Sequence, residues 1–218
     1  MTATRWGRTE AAAGAVAAVV LVALTPGVPT WASYLLLWAP LLAAVGLVAY
    51  RGRSATDGAD APGRIRLRIT WMDVLVGAFV GLLLRLVMIV VELLTVGHLT
   101  SSSSMFSVDH NLMWVFAAII APAIIAPVVE ELFFRGVVLP AIGTNWIGIV
   151  GSAICFSAVH LVYGFNLLTA VSTFVAGVAF GVLAVRTRRL GASITAHIVY
   201  NTTLIAMSEL GGLAPIDG

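Results

Sequence analysis

Hydrophobic positions along this chain run in long blocks, interrupted by short stretches rich in Arg, Gly, Pro or Ser. The blocks are Ala11–Leu24, closed by Thr25-Pro26-Gly27, then Trp31–Tyr50, Met72–Val96, Leu112–Leu139, Ile147–Val162, Leu167–Val185 and Gly191–Met207. Runs of about 20 apolar residues match the hydrocarbon thickness of a bilayer. In that medium a single segment satisfies its own backbone only as a helix. The pattern therefore predicts an all-α polytopic transmembrane bundle of about seven spans. Arg5 and Arg8 before the first block give it the look of a signal peptide, but another hydrophobic block follows at once, which favours an uncleaved first span. Trp31, Tyr34 and Trp38 gather towards one end of the second block, where interface anchors belong.

Composition sharpens this picture. Of 218 residues, 60% are hydrophobic and 10% charged, against about 25% charged in an ordinary soluble domain. Mean hydropathy is +1.04, which excludes a soluble globule. All 12 basic residues are arginine. Together with the abundance of Ala, Val and Gly, this points to a GC-rich bacterial genome rather than to nucleic-acid binding. The connector 51–68 carries five arginines, and Arg186, Arg188 and Arg189 separate the last two blocks. By the positive-inside rule these places and the N-terminus face the cytoplasm of a cell membrane. The run Ser101–Ser104, the 163–166 turn and the C-terminus then lie on the far side. Cys155 is the only cysteine, expected to serve packing, and His98 and His110 fall in or beside an outer loop.

Against that apolar background the charges of the fourth block stand out: Glu130, Glu131 and Arg135. Each costs roughly 2.5–3.5 kcal/mol near the centre of a membrane helix, so they must face an interior and find partners. Glu131 and Arg135 are four apart, acid first, the favourable order for a helical ion pair. Glu130 is rotated by about 100° and can face elsewhere. Later blocks add His160 and the pair His197 and Asn201, which share one helix face. Counted at 1.5 Å per residue from the cytoplasmic ends, Glu130 sits at roughly 18 Å, His160 at roughly 22 Å, His197 at roughly 9 Å and Asn201 at roughly 15 Å. Polar groups on three helices thus fall in one membrane layer. Pro122 and Pro127 should kink the fourth helix, and the proline at 127 should deprive the carbonyl of Ala123 of its partner. Arg85 and Glu92 share a face of the third block two turns apart, where a secondary substrate-site role is open to them.

Glu130-Glu-Leu-Phe-Phe-Arg135, then Phe156-Ser-Ala-Val-His160, then His197-Ile-Val-Tyr-Asn201 resembles the CPBP family, the CAAX-protease and bacteriocin-processing (Abi) group of intramembrane endopeptidases. Its pattern of E-E-x-x-x-R, F-x-x-x-H and H-x-x-x-N/D occurs in that order. The resemblance divides the chain into N-terminal spans over 1–111, with the arginine-rich loop, and a protease-like core over 112–208. It implies hydrolysis of membrane-associated proteins or peptides, with Glu130 as the base that activates water and His160 assisting. His197 and Asn201 would stabilise the oxyanion, and Glu131 with Arg135 would orient the site. Metal dependence is left open. One Glu and two His suit a three-ligand zinc site with a free position, whereas a metal-free glutamate mechanism suits the same residues and H-E-x-x-H is absent. Two other classes fit intramembrane acids: an ion- or proton-coupled transporter, and a non-catalytic immunity or scaffold protein. The transporter class is weakened because no inverted repeat is visible.

Overall fold

The computed structural model describes residues 5–24, 28, 30–54, 65–97, 115–161 and 166–212. The serine run, His98, His110, most of the arginine-rich connector, the turn after His160 and the C-terminal end lie outside them. Among the described residues every named element is a helix, with one isolated bridge between Arg66 and Arg189. The helices are α1 (Arg5–Leu24), α2 (Thr30–Ser54), α3 (Trp71–Val96), a composite α4, α5 (Trp146–His160), α6 (Leu167–Thr187) and α7 (Gly191–Gly212). The α4 rod has four consecutive pieces. They are a π-helical Phe116–Ile125, an α-helical Ala126–Phe133, a second π-helical Phe134–Val138 and a last α-helical turn Leu139–Ile142.

The helices are those expected from the blocks, but they do not all have the length of a span. Ala32–Arg51, Trp71–Val96 and Leu167–Thr187 are long and apolar enough to cross a membrane, while Trp146–His160 is apolar but shorter. At 1.5 Å per residue a helix of that size falls short of a hydrocarbon core of about 30 Å. The α4 rod is interrupted by its charges and its changes of helical pitch. This is a membrane protein. Leu75, Phe79, Leu82, Leu86, Val90 and Leu94 are all exposed along one flank of α3, the surface that an apolar solvent covers.

Local sequence explains the helix starts. Thr70 and Asp73 form a reciprocal capping box at α3, Asn145 accepts from Gly148 N–H at α5, and Asn166 accepts from Leu168 N–H at α6. Each side chain satisfies N–H groups that a first turn leaves open.

The third helix carries a signal that sequence reading passed over. Gly77 and Gly81 are buried against α7. A Cβ at Gly77 would come within 2.6 Å of the Ala192 carbonyl, and one at Gly81 within 2.4 Å of the Ala196 carbonyl. Small residues four apart permit such close helix approach inside membranes. The α3–α7 seam is held at its end as well. Arg189 donates to Asp73 through Nε (3.1 Å) and Nη2 (2.9 Å). Arg66 pairs with the same turn, its N–H donating to the Arg188 carbonyl at 3.1 Å and its carbonyl accepting from Leu190 N–H at 3.0 Å.

On the other side α1 and α2 pack against α4. Leu37, Trp38 and Leu41 join Phe133, Phe134 and Phe156 in one buried cluster. Arg51 is ion-paired with Glu10, and Arg8 donates to the Ala141 carbonyl at 3.0 Å. The α4 rod is therefore enclosed by α1 and α2 on one flank and by α5, α6 and α7 on the other.

Gly81→Val would force the α3–α7 seam apart and is expected to cost about 1–3 kcal/mol. Thermal unfolding in detergent measures this, with exposed Leu82→Val as the near-neutral control.

Candidate active site

The two π-helical pieces flank Glu130 and Glu131, and wide turns of this kind commonly occur at functional sites. Glu131 and Arg135 are both 0% exposed. Arg135 Nη1 donates to Glu131 Oε1 at 2.8 Å, and Nη2 donates to the Gly177 carbonyl on α6 at 2.9 Å. The guanidinium carbon lies 4.6 Å from the ring centre of Phe156, 5.5 Å from Phe180 and 6.0 Å from Phe134. The charge is thus neutralised by one carboxylate and enclosed by aromatic faces.

The same carboxylate holds α7. His197 Nδ1 sits 3.0 Å from Glu131 Oε1, and a carboxylate already paired to a guanidinium acts as acceptor only. The network therefore assigns the proton to Nδ1. His197 Nε2 is turned towards Glu130, with Oε2 at 3.7 Å, beyond hydrogen-bond range. Phe180 stacks on the imidazole at 4.7 Å between centres and Phe156 meets it edge-on at 5.5 Å. One ring nitrogen of His197 is hydrogen-bonded, the other faces Glu130, and Phe180 covers one face of the ring.

His160 is held by other means. Its Nδ1 lies 2.8 Å from the Phe156 carbonyl, which can only accept, so the proton again sits on Nδ1 and Nε2 carries the lone pair. Its ring lies 4.6 Å from that of Phe156. Phe156 is therefore the spacer between the two imidazoles, a more specific part than its place in a motif discloses.

Asn201 corrects one expectation. The carbonyl left open by Pro127 belongs to Pro122, not Ala123. In a π-helix each N–H reaches back five residues, as Ala126 N–H does to the Ala121 carbonyl. Proline at 127 has no N–H for the carbonyl at 122, and Asn201 Nδ2 supplies the missing donor at 2.9 Å. The helix is wound more widely here than the α-helical register expected from the sequence.

Glu130, Glu131, Arg135 and His197 thus form one buried cluster. His160 joins it through Phe156, and Asn201 through the α4 backbone. A cavity of about 310 Å³ has His160, Asn201 and Pro122 in its wall, while Glu130, Glu131, Arg135 and His197 do not line it. Sequence reading missed Gly177 and Phe180, to which the chemistry gave no clue. It also missed the wall residues Thr169, Ser172 and Thr173, whose helical spacing on one face of α6 was visible. Cys155 is exposed, so the packing role expected of it is not what its position provides. It lies on the outer flank of α5 among the apolar side chains.

Among the described residues no three His, Cys, Asp or Glu side chains are gathered as a metal site requires. Glu130 and His197 approach each other, but Glu131 is taken up by Arg135 and His197 Nδ1, and His160 packs on the Phe156 ring instead of joining them. The residues as placed do not make the zinc set considered above, and no step is derived through a metal.

Residues 112–203 match one protein-family model, type II CAAX prenyl endopeptidase Rce1-like. The segment is similar to the Rce1-like family over 92 of the 218 residues. All three motifs fall inside it, and the family implies CAAX intramembrane endopeptidase activity in general terms. No curated protein and no solved structure matches the chain.

Within this Rce1-like segment Arg135→Ala would leave Glu131 buried and uncompensated. The expected loss is about 3–5 kcal/mol, read by thermal unfolding in detergent. Arg135→Lys keeps the charge but not the planar fork that reaches both Glu131 and Gly177, so it should recover only part of the loss.

Proposed function

We propose that this chain is an intramembrane endopeptidase that cleaves peptide bonds of membrane-associated proteins or peptides, with Glu130 as the general base. The observation that carries the reading is the placement of His197 Nε2 against Glu130 by a Glu131–Arg135 pair that is itself fully enclosed. A membrane protein gains little stability from such a pair. As a rigid support for one imidazole and one carboxylate it has a use.

In this mechanism Glu130 takes a proton from water as the water oxygen bonds to the scissile carbonyl carbon. His160, through Nε2, assists the proton movement at the cavity side. His197 and Asn201 stabilise the oxyanion of the tetrahedral intermediate; Asn201 has a second amide hydrogen besides the one given to Pro122. Collapse of the intermediate breaks the C–N bond, and the proton held by Glu130 passes to the departing amine. Glu131 and Arg135 touch no substrate and act by positioning. With its proton on Nδ1 and Nε2 bare, His197 donates to the oxyanion only after Nε2 takes from Glu130 the proton that came from water, and it returns that proton through Glu130 to the departing amine.

We also place the N-terminus on the cytoplasmic face of the cell membrane. The pairing of Arg66 with the Arg188–Leu190 turn supports this, because it collects arginines of two loops at one end of the bundle.

Glu130→Gln is expected to lower kcat by about 10²–10⁴-fold, the range for loss of a general base, with folding unchanged. A cleavage assay on a membrane-anchored peptide in liposomes measures this. Activity equal to the unsubstituted protein would remove Glu130 from the mechanism and return the transporter reading to first place.

A further inference from the structure

The cavity beside the site contains a buried cation that the proposed mechanism does not use. Arg85, on α3, is 6% exposed and lines the cavity together with Met88, Glu92, His160, Tyr200 and Asn201. It lies outside the Rce1-like segment, which begins at residue 112. Its guanidinium carbon sits 4.0 Å from the centre of the Tyr200 ring, so one face of the plane is packed against the residue next to Asn201. Its Nε has no hydrogen-bond partner among the described residues.

The other polar groups in the wall are more fully engaged. Thr173 donates to the Thr169 carbonyl at 2.7 Å and Ser172 to the same carbonyl at 3.0 Å, both along their own helix. Arg85 is always charged and has five N–H donors in a fixed fork. A guanidinium held over an aromatic ring keeps N–H donors free to take a planar anion with two parallel bonds. Glu92 stands two turns further along the same helix face, about 10.5 Å by helical rise. Its charge already acts on Arg85 and Tyr200 across the same cavity wall, so an incoming carboxylate takes its place on the guanidinium in competition with Glu92.

We propose that Arg85 is a substrate-recognition residue that binds a carboxylate of the peptide while the scissile bond lies against Glu130 and His160. This rests on the endopeptidase reading and adds a specificity determinant from the N-terminal helices. The Gly77 and Gly81 seam, by fixing α3 against α7, fixes the distance from this anchor to Asn201. The carboxylate belongs either to the chain terminus of the peptide or to an Asp or Glu side chain.

The test uses full-length protein in liposomes and three fluorescent apolar peptides that differ only in one carboxylate. One ends in a free carboxylate, one in an amide, and one in an amide with a single internal Asp. Equilibrium binding is read by fluorescence anisotropy, and cleavage is read in parallel. The expected result is that one of the two carboxylate peptides binds about 10-fold or more tightly than the neutral amide, as charge-assisted pairing implies. Arg85→Gln should remove that preference while leaving affinity for the neutral amide nearly unchanged, and Arg85→Lys should restore part of it. Whichever carboxylate peptide is preferred identifies the source of the anion. Equal binding of all three by the unsubstituted protein overturns the proposal, and so does equal weakening of all three by Arg85→Gln. The comparison within the unsubstituted protein decides the matter even where the variant fails to fold. A carboxylate preference without cleavage keeps the anchor and removes the endopeptidase reading; cleavage without the preference does the reverse.

Discussion

A carboxylate and a guanidinium with no access to solvent impose the strictest condition on this fold. Glu131 and Arg135 are both fully enclosed, and either alone would be an uncompensated charge in a medium of low dielectric constant. Their neighbours follow from that condition. Gly177 offers a backbone carbonyl because α6 comes close, Phe156 and Phe180 cover the guanidinium, and His197 takes the remaining approach to Glu131 Oε1. Helices α4, α5, α6 and α7 are thereby referred to one pair of charges. Glu130, one residue away, inherits a fixed partner in His197 without taking part in the pair.

The fourth helix shows how backbone geometry and side-chain chemistry combine. Wide helical turns on either side of the two glutamates change which carbonyl a proline leaves open. The amide of Asn201 fills the place, so a residue on α7 repairs the backbone of α4. Carbonyls exposed in an apolar surround cost several kcal/mol each. This repair therefore fixes the register of α7 at one point, and the His197 bond to Glu131 fixes it a turn earlier.

Much of this was legible in the sequence, for a physical reason. Charged and imidazole groups are so costly in apolar helices that their presence at Glu130, Glu131, Arg135, His160 and His197 announces an interior. The i, i+4 spacing of Glu131 and Arg135 gave the ion pair directly. Helix count came from the apolar blocks, whereas helix length did not, because a short block such as Trp146–His160 looks like a span until its rise is measured. The π-helical winding of α4 has no clear sequence signature, and the identity of the open carbonyl was misjudged with it. Arg85 could not be assigned from its own helix. Its partner Tyr200 is on α7, and only the seam at Gly77 and Gly81 brings the two together.

Support of Glu130 by the buried pair requires the His197 imidazole to be held with its proton on Nδ1 and its bare Nε2 facing Glu130. Nitrogen-15 NMR of the protein in liposomes, with the signal assigned by comparison with His197→Gln, reports the tautomer directly. The resting protein should show a protonated Nδ1 and an unprotonated Nε2. An Nε2-protonated ring with a bare Nδ1 would contradict the account, because Glu131 could then neither hold nor orient it.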